Sequence, residues 1–389
     1  MKNKEVTDFQ AHTPELRQLY SRHSSKWRRF SADVLPMHVA EMDFEIAEPI
    51  RSQLARMVTE SDLGYLGPVP EVAAAFEKFA ATRWGWKIDP AQLKLATDVG
   101  VATVEYLRAN LQPGERVVIT SPVYSGFFEW LKELNIEPFD VPLAHTEQGW
   151  RLDLRGLEQA FAQGHLTLLL CNPHNPVGRA FDRQELTALA ELAARYGATV
   201  ISDEIHAPLT YGDSEFIPFL AVSENARKVG ITITSSSKSW NTAGLKAAIV
   251  ITASDEMQAV VARTPEAMHW RASLLGAFAM VESYEHSEGW LDETVATLDG
   301  NRHFTIKQFA EKLPQARVSV PASTYLAWVD VSDCGFGDNP AAYLLENAKV
   351  GVDPGTNFGK QYKGFVRFNF ATSHENIAEA ISRMAAAAN

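Results

Sequence analysis

Ser235-Ser-Ser-Lys-Ser-Trp-Asn-Thr-Ala-Gly-Leu-Lys246 follows directly on an apolar, β-branched run, Val229-Gly-Ile-Thr-Ile-Thr234, that reads as a buried strand. Small hydroxyl residues come first, then one lysine, then a segment able to start a helix from about residue 241. Serines at a strand-to-helix turn offer hydroxyls and backbone N–H groups to an anion. Lys238 has no carboxylate within four residues on either side. A lysine held in such a pocket can lose its proton and attack a carbonyl, forming a Schiff base. Lys246, eight residues on, falls just over two helical turns away and would return toward the same anion. The pattern fits a turn that holds pyridoxal phosphate. The alternative is a solvated lysine in a serine-rich loop, and three companion segments weigh against it.

Cys171-Asn-Pro-His-Asn-Pro-Val-Gly178 places two Asn-Pro pairs and a glycine after a strand. Proline keeps the residue before it out of the helical region, so the turn is rigid and Asn175 can be aimed at a phenolate oxygen. Ser202-Asp-Glu-Ile-His206 ends the strand predicted over 198–202. A carboxylate there is desolvated and needs a cationic partner. The protonated pyridine nitrogen of the cofactor would serve Asp203, and that pairing makes the ring an electron sink. His206 is within reach of the cofactor's O3′ oxygen. Metal binding is the other use of such a histidine, but no HxH or HExxH spacing accompanies it. In Gly364-Phe-Val-Arg-Phe-Asn-Phe-Ala371, Arg367 interrupts an alternating apolar strand. A buried arginine is costly unless paired. No acid lies between Asp353 and Glu375, so its partner is expected to be distant in sequence or a ligand. A substrate α-carboxylate is a good bidentate match; a structural ion pair is the alternative.

The 389 residues carry a net charge of −12, which argues against a nucleic-acid surface. Two cysteines, Cys171 and Cys334, form no disulfide framework, as in a reducing cytoplasm. The opening Met1–Asp8 lacks a signal-peptide apolar core, and no apolar run is long enough to span a membrane. The basic cluster Lys26-Trp-Arg-Arg29 reads as a solvated arm anchored by one tryptophan, and residues 35–44 as a strand entering a site. Strands and helices alternate from residue 93 to 252, which implies an α/β fold with a mostly parallel sheet. Sites in such sheets lie beyond the carboxyl ends of the strands, where Gly100, Tyr124, Asn175, Asp203 and Lys238 fall. Long helical stretches at 254–285 and 290–313, with later strands, indicate a separate α+β domain. The expected division is a 1–45 arm packing with the small domain, a 46–287 large domain and a 288–389 small domain.

Together these segments resemble the pyridoxal-phosphate-dependent aminotransferase superfamily of fold type I, over nearly the whole chain. Within it the likeness is to the MalY/PatB group of cystathionine β-lyases and C–S lyases. Met37-His-Val-Ala-Glu-Met-Asp-Phe44, Ser202–His206, Ser237–Leu245 and Val366–Thr372 carry that likeness. The resemblance implies that Lys238 binds the cofactor and moves the Cα proton, that Asp203 pairs with the pyridine nitrogen, and that Asn175 and His206 face O3′. It implies that Tyr124 stacks on the ring, and that Gly100, Val101, Ser235, Ser237 and Lys246 hold the phosphate. Arg367 and Ala40 would bind the substrate. Tyr65 resembles a tyrosine that crosses from a neighbouring subunit, which implies a homodimer with shared sites. The chain departs from the group at His38 and Glu41, where Trp and Asp are usual, and at the Ser-Gly after Tyr124, where Pro-Pro is usual.

The expected activity is β-elimination from cystathionine or cysteine S-conjugates to thiol, pyruvate and ammonia. An aminotransferase would need the same lysine, aspartate and arginine and would differ in where the proton returns. A cofactor-binding regulatory protein is the third possibility, though no basic N-terminal module precedes the catalytic fold.

Overall fold

The computed structural model describes residues 13–147 and 149–388. The Met1–Asp8 segment therefore lies outside the described residues. Two compact units emerge. One holds residues up to Glu45, Pro176–Gly178 and everything from Gly289; the other holds Ile46–Asn175 and Arg179–Glu288.

The second unit is built on a seven-stranded sheet. From edge to edge its strands are Leu93–Ala96, Ala248–Ile251, Gly230–Thr234, Thr199–Asp203, Thr167–Cys171, Val117–Ile119 and Pro138–Asp140. Only Ala248–Ile251 runs against its neighbours; the other pairings are parallel. The interior strands are buried along their length because their Val, Ile and Leu runs are covered on both faces, as parallel sheets require. Side-chain caps fix several helix starts. Asp98 accepts from Val101 N to open Val99–Asn110, and Asp182 with Glu185 forms a capping box on Arg183–Tyr196.

Two expectations for this unit change. The helical stretch over 254–285 is three helices, Asp255–Val261, Glu266–Trp270 and Leu274–His286. Pro265 ends the continuity, and Ser254 and Ser273 cap new starts. The helix expected from about 241 is a run of turns with one 3₁₀ element, Ala243–Leu245. Asn241 and Lys246 both take positive φ, 57° and 55°, which no α-helix accommodates. The chain also forms a hairpin, Ala144–Thr146 with Gly149–Arg151.

The first unit carries an antiparallel sheet in the order Arg317–Val318, Leu326–Asp330, Phe365–Asn369, Asp353–Pro354. Its longest helix is Glu288–Lys312. The expected strand over 35–44 shrinks to Leu35–Pro36, which pairs in parallel with Val350–Gly351. The rest is irregular chain. Asn369 Nδ2 donates to both Val39 O and Glu41 O at 2.7 Å, so a side chain replaces a ladder partner. The basic cluster is not solvated at its first residue. Lys26 is 1% exposed and ion-pairs with Asp43 at 2.9 Å, while Trp27 Nε1 donates to the same carboxylate at 3.0 Å. Burial of an ammonium is tolerable only with such a partner.

Candidate active site

Five parallel strands of the large sheet, together with Leu93–Ala96, point their carboxyl ends to one edge. Their continuations carry the residues singled out from sequence. Gly100 and Val101 follow Leu93–Ala96, Tyr124 follows Val117–Ile119, and Asn175 follows Thr167–Cys171. Asp203 closes its own strand, and Ser235, Ser237 and Lys238 follow Gly230–Thr234. Because these strands run in the same direction, the loops that leave their carboxyl ends lie along this one edge.

Asp203 is 6% exposed, and its carboxylate accepts a hydrogen bond from Ile205 N at 3.1 Å. It forms no ion pair within 4 Å among the described residues. Burial pushes its pKa up to about 7, opposed by the Ile205 N–H and the charge of Lys238. Its neighbour Glu204 is also buried and is pushed up to about 8, again chiefly by burial. Glu204 accepts from Phe219 N at 2.8 Å and Ser202 Oγ at 2.9 Å, so it holds a loop as a largely neutral acid. The two adjacent carboxyls differ in provision. Glu204 has its donors within the chain, whereas Asp203 is a buried acceptor suited to an external cationic N–H.

A cradle for an anion lies at the start of Val99–Asn110. A Cβ on Gly100 would come within 2.9 Å of the Trp130 ring nitrogen, so a larger residue there would push that ring aside. The first-turn N–H groups and the helix dipole favour negative charge. Across from it, Ser235 Oγ donates to Ala247 O at 2.7 Å and accepts from Ser237 N at 3.1 Å. The Ser235 hydroxyl proton is thus committed to shaping the turn. Lys246 reaches Asp98 rather than standing alone, with Nζ 3.0 Å from Oδ2. Asp98, which caps the helix and pairs with Lys246, was not singled out from sequence. An aspartate three residues before Val101 at the head of an apolar run was the available signal.

Asn175 is buried, and its backbone N–H points to Cys171 Sγ at 3.4 Å. His174 beside it is buried and its pKa is pushed down to about 3 by burial, so the ring is neutral. Its Nε2 lies 3.3 Å from Thr120 O, tying the Asn175 loop to the chain that leads to Tyr124. Tyr124 meets Trp130 edge-on at 5.7 Å. His206 is buried at the head of the Ala207–Leu209 turn.

In the other unit, Arg367 is 3% exposed and ion-paired to Asp353, its register partner on the adjacent strand. The expectation of a distant partner or a ligand is corrected here: the partner is the near acid that bounds the acid-free stretch, brought opposite by the antiparallel ladder. Arg367 Nη2 also donates to His38 O at 3.0 Å, and its guanidinium lies 4.8 Å from the Phe358 ring centre. The His38 ring packs edge-on against Phe30 and is held neutral by burial and nearby cations, its pKa down to about 3. Glu41 reaches back to Ser24 Oγ, a clasp that its extra methylene allows. Ala40 is buried between these two departures from the usual pattern. Tyr65, in the large unit, is 98% exposed.

Among the described residues no cluster of three or more His, Cys, Asp or Glu is arranged for a metal ion, and no helix is long and apolar enough to cross a membrane.

Residues 33–384 match the family model for aminotransferase class I and II. The chain is 35% identical to the cystathionine beta-lyase of Corynebacterium glutamicum, covering 96% of this chain and 98% of that protein. It is 31% identical to the cystathionine beta-lyase PatB of Bacillus subtilis, over 91% and 92% of the two chains. Among solved structures, cystalysin from Treponema denticola, which contains a pyridoxal 5′-phosphate cofactor, superposes with a TM-score of 0.87 at 26% identity. That match covers 100% of this chain and 97% of the other.

Proposed function

The chain belongs to the aminotransferase class I and II family, and on that premise we propose that it is a pyridoxal-phosphate-dependent C–S lyase of the cystathionine β-lyase type. The observation that carries this is Asp203: a buried carboxylate, raised to about 7 and without an ion-pair partner, on the same sheet edge as Lys238. That donor set fits the cofactor. When bound, pyridoxal phosphate supplies an aldehyde carbon and an electron-withdrawing ring.

Asp203 would hold the pyridine N–H and keep its proton. Asn175 and His206 would donate to the phenolate oxygen, with Asn175 steadied from behind by Cys171 and His174. Tyr124 would cover one face of the ring. The Gly100 N–H and the Ser237 hydroxyl would bind the phosphate; Val101 gives its N–H to Asp98 and Ser235 its hydroxyl proton to Ala247 O, so those two of the expected phosphate residues would shape the cradle instead. Lys246 would act there through Asp98, neutralising the capping carboxylate next to the anion. Lys238 Nζ would hold the aldehyde carbon and, once released by the substrate amine, take the proton from the substrate Cα. Loss of that proton lets the thiol depart from Cβ; water then completes the products, pyruvate and ammonia. Arg367 would bind the substrate carboxylate, and Ala40, with its small side chain, would leave room for the substrate backbone.

The same proposal includes a homodimer. An aromatic ring as exposed as Tyr65 fits a side chain that completes the site of a second copy. The buried free thiols Cys171 and Cys334 support work in the cytoplasm.

The test is incubation of the holoenzyme with L-cystathionine, with and without a 2-oxo acid. Pyruvate and thiol formed together without the acceptor are the expected result. Turnover that requires the acceptor would make the protein an aminotransferase.

A further inference from the structure

Arg367 holds a ligand of its own before any substrate arrives. Its Nη2 carries two hydrogens, and both are spoken for, one by the Asp353 carboxylate and one by His38 O at 3.0 Å. The guanidinium lies 4.8 Å from the Phe358 ring centre, and Trp328 is the register partner of Arg367 on the other neighbouring strand. A carboxylate gripped by two parallel N–H bonds uses either the Nη1/Nη2 edge or the Nε/Nη2 edge. Both edges include Nη2. A two-pronged substrate carboxylate must therefore take a hydrogen from Asp353 or from His38 O. The His38 carbonyl belongs to chain pinned on either side of it, by the bond from Met37 N to Gly351 O at 2.7 Å and by the Asn369 side chain at Val39 O. Asp353 is a side chain and can swing.

We propose that Asp353 is an internal competitor for Arg367, displaced from Nη2 when an amino-acid carboxylate binds and returning when a carboxylate product leaves. This rests on the reading of Arg367 as the substrate-carboxylate residue. It makes Asp353 a specificity-setting residue that weakens carboxylate binding. The arriving anion loses part of the Arg367 charge to Asp353 and is repelled by it. It also keeps the buried guanidinium compensated between turnovers.

The experiment titrates the holoenzyme, followed by the cofactor's absorbance, with L-alanine and with ethylamine. Alanine has no β leaving group, and ethylamine is the same chain without the carboxylate. Asp353→Asn keeps a neutral acceptor for Nη2 and removes the charge. It is expected to tighten alanine binding about five- to tenfold and to leave ethylamine within about twofold. Asp353→Glu, which keeps the charge, should bind alanine within about twofold of the parent. Alanine affinity in Asp353→Asn that is unchanged or weaker, or that changes in step with ethylamine, overturns the proposal. Arg367→Gln separates this from the premise. If that variant still prefers alanine over ethylamine as the parent does, Arg367 is not the carboxylate residue. If the preference disappears while Asp353→Asn has no effect, only the competitor role of Asp353 falls. Asp353→Ser, also a neutral acceptor, replaces the asparagine variant should the latter not fold.

Discussion

The sheet edge around Lys238 and the sheet face around Arg367 treat buried charge in opposite ways. At the first, Asp203 is buried with one backbone donor and, among the described residues, no ion-pair partner, and burial pushes its pKa up to about 7. At the second, Arg367 is buried against Asp353, and nearby Lys26 against Asp43. An uncompensated buried charge costs several kcal/mol and is kept only where something else supplies the partner. The edge around Lys238 therefore leaves a buried carboxyl to be balanced, while Arg367 and Lys26 have their carboxylates within the chain. Ligand chemistry is written in the first as a deficit and in the second as a competition.

Lys238→Ala should produce the largest change and tests the first region directly. Pyruvate formation from cystathionine is expected to fall by at least about a thousandfold, since the other amine on that edge, Lys246, is paired to Asp98. Residual activity within tenfold of the parent would remove Lys238 from the chemistry. Lys26→Ala tests whether the second region stands by its own ion pairs. It leaves Asp43 buried with only Trp27 as donor, and a loss of about 3 kcal/mol in denaturant unfolding is expected, with or without cofactor. A change below about 0.5 kcal/mol would show that the pair is not compensating anything.

Asp203→Asn sharpens the contrast from the other side. Cofactor affinity, read by titration of the cofactor-free protein, should fall roughly a hundredfold, because the amide cannot balance a pyridinium charge. The cofactor-free protein itself should be as stable as the parent or more so. A less stable cofactor-free variant would mean that Asp203 already has its partner within the chain.

The smallest effect is on pH dependence. Asp203 and Glu204 are raised from 3.8 and 4.5 to about 7 and about 8. The folded chain therefore binds these protons more tightly than the unfolded one. Their contribution is most favourable below the unfolded values and is lost as pH rises toward 8. The cofactor-free protein should lose stability steadily between about pH 6 and 8.5, seen as a falling Tm. With cofactor bound, Asp203 is compensated and the fall should be shallower. Equal slopes for the two forms would break the comparison between the regions.

Much of the site was legible because it depends on short segments. Asn175, Asp203 and Lys238 each come just after an apolar run that could only be a buried strand, and a parallel sheet sends such ends to one edge. Pro70–Trp84 and Arg183–Tyr196 carry local signals at both ends, since proline or aspartate opens them and glycine closes them. Legibility failed where the backbone took a conformation its residue type does not announce. Asn241 and Lys246 at positive φ turn an expected helix into turns and send Lys246 to Asp98. It failed again where partners meet across a ladder. Nothing near Lys26 signals Asp43, and nothing near Arg367 signals that strand register sets Asp353 opposite it.

By itself, the sequence determined the alternation of strands and helices, the residues that end the strands, and the chemistry those residues can perform. These follow from hydrophobic period, capping and side-chain type, all local properties. Only the tertiary structure decided which buried charges are compensated. A charge's cost is set by what lies within a few ångströms of it in space. For Asp203, Lys26 and Arg367 those neighbours come from other strands and loops.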